Sequence, residues 1–315
     1  MELNFDLDFI DTVGQLTSVV LFIHRRNETT KRVFASISQF KPERLYIFAD
    51  GARADKNEEG LVRAAREETE NVDWDCEVLR HYSEENHGLS ESILNGLDIV
   101  FRLENSAIIL EDDCLPSSSF FSFAEQLLEQ FEHSEEVAII SGTNLSGIRT
   151  TTDPYMFTGH PYIWGWATWA TTWQEFRSHV SHGRSFSNSF AAIPGVFSKL
   201  LFWNLLLRED TLDSWAIPFA KFVHEKRLLS ITPAVNLVEN IGFGEQTTHT
   251  GLEGIFASVQ PELLEDIPNQ PLPLKRDRRA ERPISNQLFR RLIKSILQDP
   301  ALLVQVTKRA FSSHK

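Results

Sequence analysis

The chain has 315 residues and a mass of 36.1 kDa, which is enough for a domain with a large buried core. Its 42% hydrophobic and 24% charged residues are typical of a soluble globular protein and exclude a disordered or fibrous chain. No apolar run reaches the roughly 18–20 residues of a membrane-spanning helix, and two cysteines are too few for a disulfide framework or a zinc site.

The net charge of −13 argues against general affinity for nucleic acid, but this charge is unevenly spread. Residues 275–315 contain eleven Lys and Arg against three Asp and Glu, so the tail carries +8 and the preceding body −21. The first fourteen residues are acidic where a signal peptide would be basic. We therefore expect a cytoplasmic protein with an acidic body and a basic tail.

Short apolar runs alternate with amphipathic stretches in the first part of the chain. The runs predict strands over residues 18–23, 45–49, 76–81 and 106–110. The stretches between them predict helices over residues 28–40, 58–69 and 90–101. This alternation predicts a mostly parallel sheet with helices on both faces.

The pattern is looser after residue 113. It predicts a helix over residues 117–131, a strand over 137–140 and the opening of another helix at 211–215. Trp166, Trp169 and Trp173 fall at helical spacing on one face, which we interpret as core packing. Five prolines between Pro261 and Pro283 indicate a linker.

Polar residues follow three of the predicted strands. They are 24–27 after the first strand, Asp50-Gly51 after the second, and Glu111-Asp112-Asp113 after the fourth. In open α/β sheets, ligands bind outside the carboxyl ends of the strands, so this edge is the candidate site. The sequence has no Gly-x-Gly-x-x-Gly or Walker loop, which leaves dinucleotide and P-loop functions without support.

The Glu111-Asp112-Asp113 element is the most informative motif. A hydrophobic strand that ends in adjacent carboxylates presents hard oxygen ligands, which suit Mg²⁺ or Mn²⁺ bridging a diphosphate. Such a metal would neutralise the diphosphate as it departs. The alternative is an acidic loop that precedes the next helix.

Asp50, the 24–27 segment and His87 each have a structural alternative. Asp50 could accept a base N–H or ribose hydroxyls, or it could form an ordinary Asp-Gly turn. Residues 24–27 could bind the same nucleotide or begin the next helix. His87 could donate a hydrogen bond to a base or phosphate, although a lone histidine is more often structural.

Trp164, Asp213 and His249 are candidates in the second part of the chain. Trp164 beside Gly165 could support a sugar face. Asp213 could be a general base that removes a proton from an acceptor hydroxyl, or an N-terminal cap of its own helix. His249, in a glycine-bracketed loop, could bind a metal or diphosphate, or simply be an exposed loop histidine.

Taken in order, these motifs resemble nucleotide-sugar glycosyltransferases of the GT-A fold over about residues 16–252. Glu111-Asp112-Asp113 resembles the Glu-Asp-Asp element of N-acetylglucosaminyltransferase I, and Asp213-Ser-Trp215 is similar to its Asp-Asp-Trp segment. Phe243-Gly244 with His249 is similar to its Phe-Gly…Ser-His-Gly loop. The tryptophan-rich stretch 163–169 resembles bacterial hemolytic-protein-like glycosyltransferases.

The resemblance implies a role for each candidate residue. Asp113 would be the main protein ligand of Mn²⁺ or Mg²⁺, and His249 would close over the diphosphate. Asp213 would be the catalytic base of an inverting transfer. The nucleotide-sugar donor would be bound by His24, Arg25, Asp50, His87, Glu111, Asp112 and Trp164.

We therefore expect an α/β protein of the GT-A fold, with a Rossmann-like mixed sheet flanked by helices. Its domain would span residues 1–260, with a donor half at about 16–145 and an acceptor half at about 146–260. The expected function is metal-dependent transfer of a hexosyl or N-acetylhexosaminyl group from a nucleotide sugar, UDP-linked by resemblance, to a glycan or lipid-linked glycan of the bacterial envelope. Two alternatives stay open, a sugar-nucleotide nucleotidyltransferase and a carbohydrate-binding pseudo-enzyme.

The tail after the proline-rich segment 261–283 is predicted to be helical and amphipathic over residues 284–315. Its apolar residues recur at helical spacing among Arg and Lys, and Pro300 would divide it into two helices. Such a tail either docks on the acidic body or attaches peripherally to the anionic inner face of the plasma membrane.

Overall fold

The computed structural model describes residues 17–145, 149–181, 213–242, 259–264 and 267–281. Within these ranges the helices are α1 (Asn27–Phe40), α2 (Glu59–Glu67), α3 (Leu89–Val100), α4 (Ser118–Gln130), α5 (Ala170–Ser181) and α6 (Ala216–Lys226). The strands are β1 (Ser18–Ile23), β2 (Arg44–Ala49), β3 (Glu77–Tyr82), β4 (Ser106–Glu111), β5 (Cys114–Pro116), β6 (Val137–Ser141), β7 (Tyr155–Thr158), β8 (Trp166–Trp169), β9 (Leu229–Pro233) and β10 (Val238–Asn240).

Eight of these strands form one mixed sheet in the order β3-β2-β1-β4-β8-β6-β9-β7. Strands β1 to β4 are mutually parallel, β8 runs antiparallel between β4 and β6, and β7 runs antiparallel to β9. Strands β5 and β10 form a separate antiparallel pair. The prediction of an α/β protein with a Rossmann-like mixed sheet flanked by helices is confirmed.

The sheet separates two hydrophobic clusters, one on each face. One face packs against α1 and α4, with Val33, Ile37 and Leu127 fully buried. The other face packs against α3, α5 and α6, with Leu97 and Phe219 fully buried. Since β1, β2 and β4 are covered on both faces, they are nearly continuous apolar runs rather than alternating ones.

The tryptophan-rich stretch differs from its prediction. Trp166 and Trp169 lie at the two ends of strand β8, and only Trp173 is helical, in α5. Three residues apart on a strand, Trp166 and Trp169 point to opposite faces of the sheet and join different clusters. The prediction of one helical face was therefore wrong, whereas the prediction of core packing is confirmed, because all three are at most 4% exposed.

The described part of the proline-rich segment covers the edge strand β7. The Leu272 N–H donates to the Tyr155 hydroxyl at 2.9 Å, and the Asp277 N–H donates to the Phe157 carbonyl at 2.7 Å. The buried Glu281 carboxylate accepts the Gly159 N–H at 2.7 Å and pairs with Arg276. The segment that we predicted as a linker thus closes the open edge of the sheet.

Several predictions fall on other parts of the chain. His249, the Phe243-Gly244 pair and the tail 284–315 lie outside the described residues. Among the residues that the structure does describe, no helix is both long and apolar enough to cross a membrane.

Candidate functional site

The candidate site lies at the point where the strand order reverses. Strand β1 has β2 on one side and β4 on the other, and the helices that follow β1 and β3 cover opposite faces of the sheet. Such a reversal opens a crevice outside the carboxyl ends of the two central strands. Phe22 and Glu111 are paired at this end of β1 and β4, so the residues that follow them line the same crevice.

A guanidinium bridges this crevice. Arg26, which precedes α1, forms an ion pair with the Asp113 carboxylate and lies 3.5 Å from Asp112 Oδ1. The backbone of Gly242 lies against both partners, because a β-carbon there would be 2.9 Å from the Arg26 Nη1 atom and would overlap Asp113 Oδ2. Gly242, two residues after β10, therefore forms part of the wall of the crevice, and a side chain at this position would displace the ion pair.

Three carboxyl groups lie beside the single cation of Arg26. Burial, followed by the charge of Asp113, raises the pKa of Glu111 and of Asp112 above the usual carboxyl range. Despite its partial burial, the pKa of Arg26 is raised by the nearby carboxylates, with Asp113 contributing most. The crevice thus combines desolvation with closely spaced carboxyl groups, and a bound cation would favour the ionised form of these groups.

The raised pKa values of Glu111 and Asp112 predict a pH-dependent stability. A carboxyl whose pKa is higher in the folded state binds more protons there, so stability falls as the pH rises through the interval between the two pKa values. We expect the Tm to fall between about pH 5 and pH 8 in metal-free buffer. Mn²⁺ together with UDP should raise the Tm more at pH 8 than at pH 5, as measured by scanning calorimetry. If the added Mn²⁺ and UDP change the Tm equally, or not at all, at pH 5 and pH 8, the metal does not bind beside Glu111 and Asp112.

His24 connects the ends of three strands. Its backbone N–H donates to Asp112 Oδ2 at 3.0 Å, and its Nε2 atom lies 3.0 Å from the Gly51 carbonyl oxygen. Burial lowers the pKa of its imidazole, and a neutral ring with a proton on Nε2 satisfies the carbonyl contact. His24 therefore fixes the spacing between the β1, β2 and β4 ends.

Arg25 points away from the acidic residues, to a carboxylate that the sequence did not single out. Its Nη1 atom lies 2.9 Å from the buried Glu58 carboxylate, which also accepts two bonds from Arg53 at 2.5 and 2.8 Å. Hydrogen bonds from Arg53, opposed by burial and reinforced by the charge of Arg25, lower the pKa of Glu58 to about 2. The Glu58 carboxylate thus holds two arginines near the carboxyl ends of β1 and β2.

The Asp50 carboxylate, predicted to recognise a base, already accepts four N–H groups. Oδ1 accepts the backbone N–H groups of Gly51 at 3.0 Å and His87 at 2.9 Å. Oδ2 accepts the Asn86 side-chain amide at 2.8 Å and the Gly88 N–H at 3.0 Å. A contact between Asp50 and a nucleotide would have to replace one of these bonds.

Asp213 caps a helix, but not the one that follows it. Its Oδ2 and Oδ1 atoms accept the N–H groups of Leu89 at 2.7 Å and Ser90 at 3.0 Å, at the first turn of α3. Its own helix, α6, begins three residues later at Ala216. Asp213 therefore lies at the same edge of the sheet as the crevice, since α3 follows the carboxyl end of β3.

His87 and Trp164 differ in their exposure. The His87 side chain is 44% exposed, with Nδ1 3.9 Å from Glu91 Oε1. Trp164 is partly buried and packs against the cluster on the α1 and α4 face. Gly165 adopts a φ of 62°, and a β-carbon there would lie 2.7 Å from Val238, so the protein's own core lies close to this glycine.

The donor set fits a divalent cation that is shared with a phosphate ligand. Within the described ranges, no three His, Cys, Asp or Glu side chains are arranged to hold a metal by themselves. Mg²⁺ in phosphate-transfer sites is commonly held by one or two carboxylates together with substrate oxygens. Asp113, with Asp112 beside it, offers such a pair once Arg26 moves away from Asp113.

The structure brings most of the predicted residues to one edge of the sheet. The His24 N–H binds Asp112, and Arg26 lies beside both Asp112 and Asp113. Asp50, His87 and Asp213 meet along the 86–90 segment. Sequence analysis included Arg26 in the candidate segment 24–27 but gave it no role of its own, and it missed Glu58. An arginine three residues after a buried strand is a usable indication for Arg26, whereas nothing in the sequence marks Glu58 as the partner of two arginines.

Comparison with solved structures gives matches of low identity. The UTP-bound UGPase of Acinetobacter baumannii matches at 8% identity and a TM-score of 0.35, covering 72% of this chain and 89% of the other. A mannosyltransferase of Pyrobaculum calidifontis, solved with GDP-Man and Mn²⁺, matches at 12% identity and a TM-score of 0.37, covering 66% and 73%. An apo UDP-glucose pyrophosphorylase matches at 11% identity and a TM-score of 0.37, covering 72% and 93%. No protein-family model and no curated protein sequence matches the chain.

Proposed function

We propose that this protein is a metal-dependent glycosyltransferase that transfers a sugar from a nucleoside-diphosphate sugar to an acceptor hydroxyl. The observation that carries the proposal is the pairing of Arg26 with Asp112 and Asp113 across the β1/β4 crevice. A diphosphate and a divalent cation together can replace the internal ion pair, since the phosphates can accept from Arg26 and the carboxylates can bind the metal. After this replacement Arg26 is paired with the phosphates, and Asp112 and Asp113 are paired with the metal.

The residues of the crevice would divide the work of donor binding. Asp113 would hold the metal, and Asp112, fixed by the His24 N–H, would be oriented toward the same ligand. Arg26 would turn from Asp113 to the diphosphate, where its planar guanidinium can contact two oxygens. A bound cation would supply neutralisation of the charge that develops on the leaving diphosphate.

Asp213 is the proposed general base of an inverting transfer. It lies at the crevice edge of the sheet, and two backbone N–H groups orient its carboxylate. Each oxygen accepts one of these bonds and keeps a second acceptor position for a substrate hydroxyl. A carboxylate held in a fixed orientation within hydrogen-bond reach of the acceptor meets the geometric requirement for general-base catalysis.

The connection between β1 and α1 favours sugar transfer over the nucleotidyltransferase alternative. A nucleotidyltransferase would need a glycine-rich basic loop at this position to hold a triphosphate. Here only residues 24–26 join the strand to the helix, and none of them is glycine. The three acidic residues 111–113 argue against the pseudo-enzyme alternative, since a protein without catalysis has no need to keep desolvated carboxylates.

The acceptor and the location are inferred from the motifs and from the charge of the tail. By the resemblance of its motifs, the donor is a UDP-hexose or UDP-N-acetylhexosamine and the acceptor a glycan or lipid-linked glycan of the bacterial envelope. The enzyme would work in the cytoplasm, with its basic tail at the inner face of the plasma membrane.

Thermal-shift measurement with UDP-, GDP-, dTDP- and CMP-sugars, with and without Mn²⁺, tests the proposal. A ligand that binds only the native state stabilises it by mass action, by about 2.7 kcal/mol at 100 times its Kd. We expect one donor class to raise the Tm in the presence of Mn²⁺ and to raise it much less without the metal. Product analysis then separates the two enzyme classes, because transfer releases a nucleoside diphosphate and nucleotidyl transfer consumes or releases pyrophosphate. Pyrophosphate-dependent turnover, or no response to any donor, would contradict the proposal.

A further inference from the structure

The segment from Asn86 to Ser90 is held by two carboxylates that come from distant parts of the chain. Asp50 accepts the Asn86 side chain and the backbone N–H groups of His87 and Gly88, at 2.8–3.0 Å. Asp213 accepts the next two backbone N–H groups, at 2.7 and 3.0 Å. Four successive N–H groups are therefore divided between the two aspartates, two to each.

Gly88 is the point where the two aspartates approach the same residue. Its N–H binds Asp50 Oδ2, whereas a β-carbon on it would lie 2.6 Å from Asp213 Oδ2. Its φ of 86° belongs to the left-handed region, which disfavours every residue with a side chain. The position of the Asp213 carboxylate thus depends on the backbone of residue 88, and that backbone is held by Asp50.

Asp50 has no remaining acceptor position for a ligand. A carboxylate has about four lone-pair sites, and the four N–H donors around Asp50 occupy them. Replacing one of them by a base would free part of the segment that orients Asp213. Direct recognition of the base by Asp50 is therefore opposed by the bonds that it already makes.

We propose that Asp50 is a positioning residue, which acts through the 86–90 segment to hold the Asp213 carboxylate in place and does not itself contact the donor base. The catalytic part of this inference rests on the proposed function, in which Asp213 is the base. The structural part is that the Asp50 bonds control the bonds of Asp213 to Leu89 and Ser90. This part does not depend on the proposed function.

Two variants of the full chain test the role of Asp50. Asp50→Asn keeps the size of the side chain but replaces one carboxylate oxygen by an NH₂ group. Since NH₂ donates and cannot accept, two of the four N–H groups lose their acceptor. Gly88→Ala keeps both aspartates but disturbs the residue between them. Gly60→Ala in α2 is the matched control, since a β-carbon there meets nothing within 4 Å and its backbone is helical.

The kinetic readout separates positioning from recognition. Since a misplacement of about 1 Å in a catalytic group can cost about 10²-fold, we expect kcat to fall about 10- to 100-fold in both test variants. The Kd of the donor, measured by calorimetry, should stay within about twofold of the original protein, as should every parameter of Gly60→Ala. A donor Kd weakened more than about tenfold in Asp50→Asn with kcat unchanged would overturn the proposal and assign Asp50 to the base.

Hydrogen exchange supplies a readout that needs no activity. In the free protein, the N–H groups of Leu89 and Ser90 should exchange faster in Asp50→Asn than in Gly60→Ala, with unchanged protection in the core strands. If Leu89 and Ser90 exchange at the same rate in Asp50→Asn as in Gly60→Ala, the proposal is overturned, even if the kcat of Asp50→Asn is lowered. If the original protein shows no transfer at all, the proposed function fails, and the exchange experiment alone decides whether Asp50 positions Asp213.

Discussion

Asp113→Asn should weaken Mn²⁺-dependent donor binding by about 10²–10³-fold, because it removes the ionised oxygen ligand at the centre of the crevice. The fold should be preserved, because asparagine has the same size, Asp112 stays beside the Arg26 guanidinium, and the repulsion that Asp113 exerts on Glu111 and Asp112 is relieved. Since Arg26 loses its ion pair with Asp113, we expect the free energy of unfolding to fall by about 1–3 kcal/mol. Titration calorimetry of a UDP-sugar with and without Mn²⁺ measures the effect.

The matched control for this prediction is Asp75→Asn, which removes the same charge from an exposed residue before β3. It should bind the donor like the original protein, so an effect of net charge alone would appear in both variants. Metal-dependent donor binding that survives in Asp113→Asn would remove Asp113 from the metal site.

Asp213→Asn should slow sugar transfer by about 10²–10⁴-fold, the usual scale for loss of a general base. Donor affinity should stay nearly unchanged, because the side chain binds Leu89 and Ser90 rather than any residue of the β1/β4 crevice. The variant should also lose part of the cap of α3, at a cost of about 1 kcal/mol of stability. Steady-state kinetics together with chemical unfolding separates these two effects.

Asp213→Ser provides the comparison, since serine is a poor base at neutral pH and its side chain is too short to make the bonds of Asp213 to Leu89 and Ser90. If Asp213 is a base, both variants are slow, whatever their stability. Turnover at the original rate by folded Asp213→Asn would leave Asp213 with the structural role alone.

Apart from the short strand β5, which was not predicted, the sequence predicted the strands and helices of residues 18–140 to within about two residues because the physical pattern there is simple. Strands that are buried on both faces are short apolar runs, and the helices between them, such as α1, have one apolar face. The carboxyl ends of parallel strands necessarily share one edge, so the contact of His24 with Asp112 followed from the predicted topology.

The stretch around β8 could not be predicted in the same way. Tryptophans three residues apart fit one face of a helix, but they fit equally well a strand that is buried on both faces. Only the pairing of β8 with β4 and β6 decides between the two, and that pairing joins residues far apart in the chain.

The sequence also could not predict which charged residues pair with each other. The pattern showed which carboxylates follow the strands, but not that Arg26 would pair with Asp113 and Arg25 with Glu58. The cap of α3 by Asp213, 123 residues further along the chain than Ser90, is a tertiary contact without a local motif. The charged residues could therefore be identified from the sequence, whereas their pairing required the structure.

The most direct test of the central claim is anomalous diffraction from crystals grown with Mn²⁺ and UDP. The account predicts a manganese peak within coordination distance of an Asp113 carboxylate oxygen, about 2 Å. It also predicts diphosphate oxygens on the same ion and the Arg26 guanidinium turned from Asp113 to the phosphate. Manganese and UDP bound together at a site away from the β1/β4 crevice, with the Arg26–Asp113 ion pair intact, would contradict it.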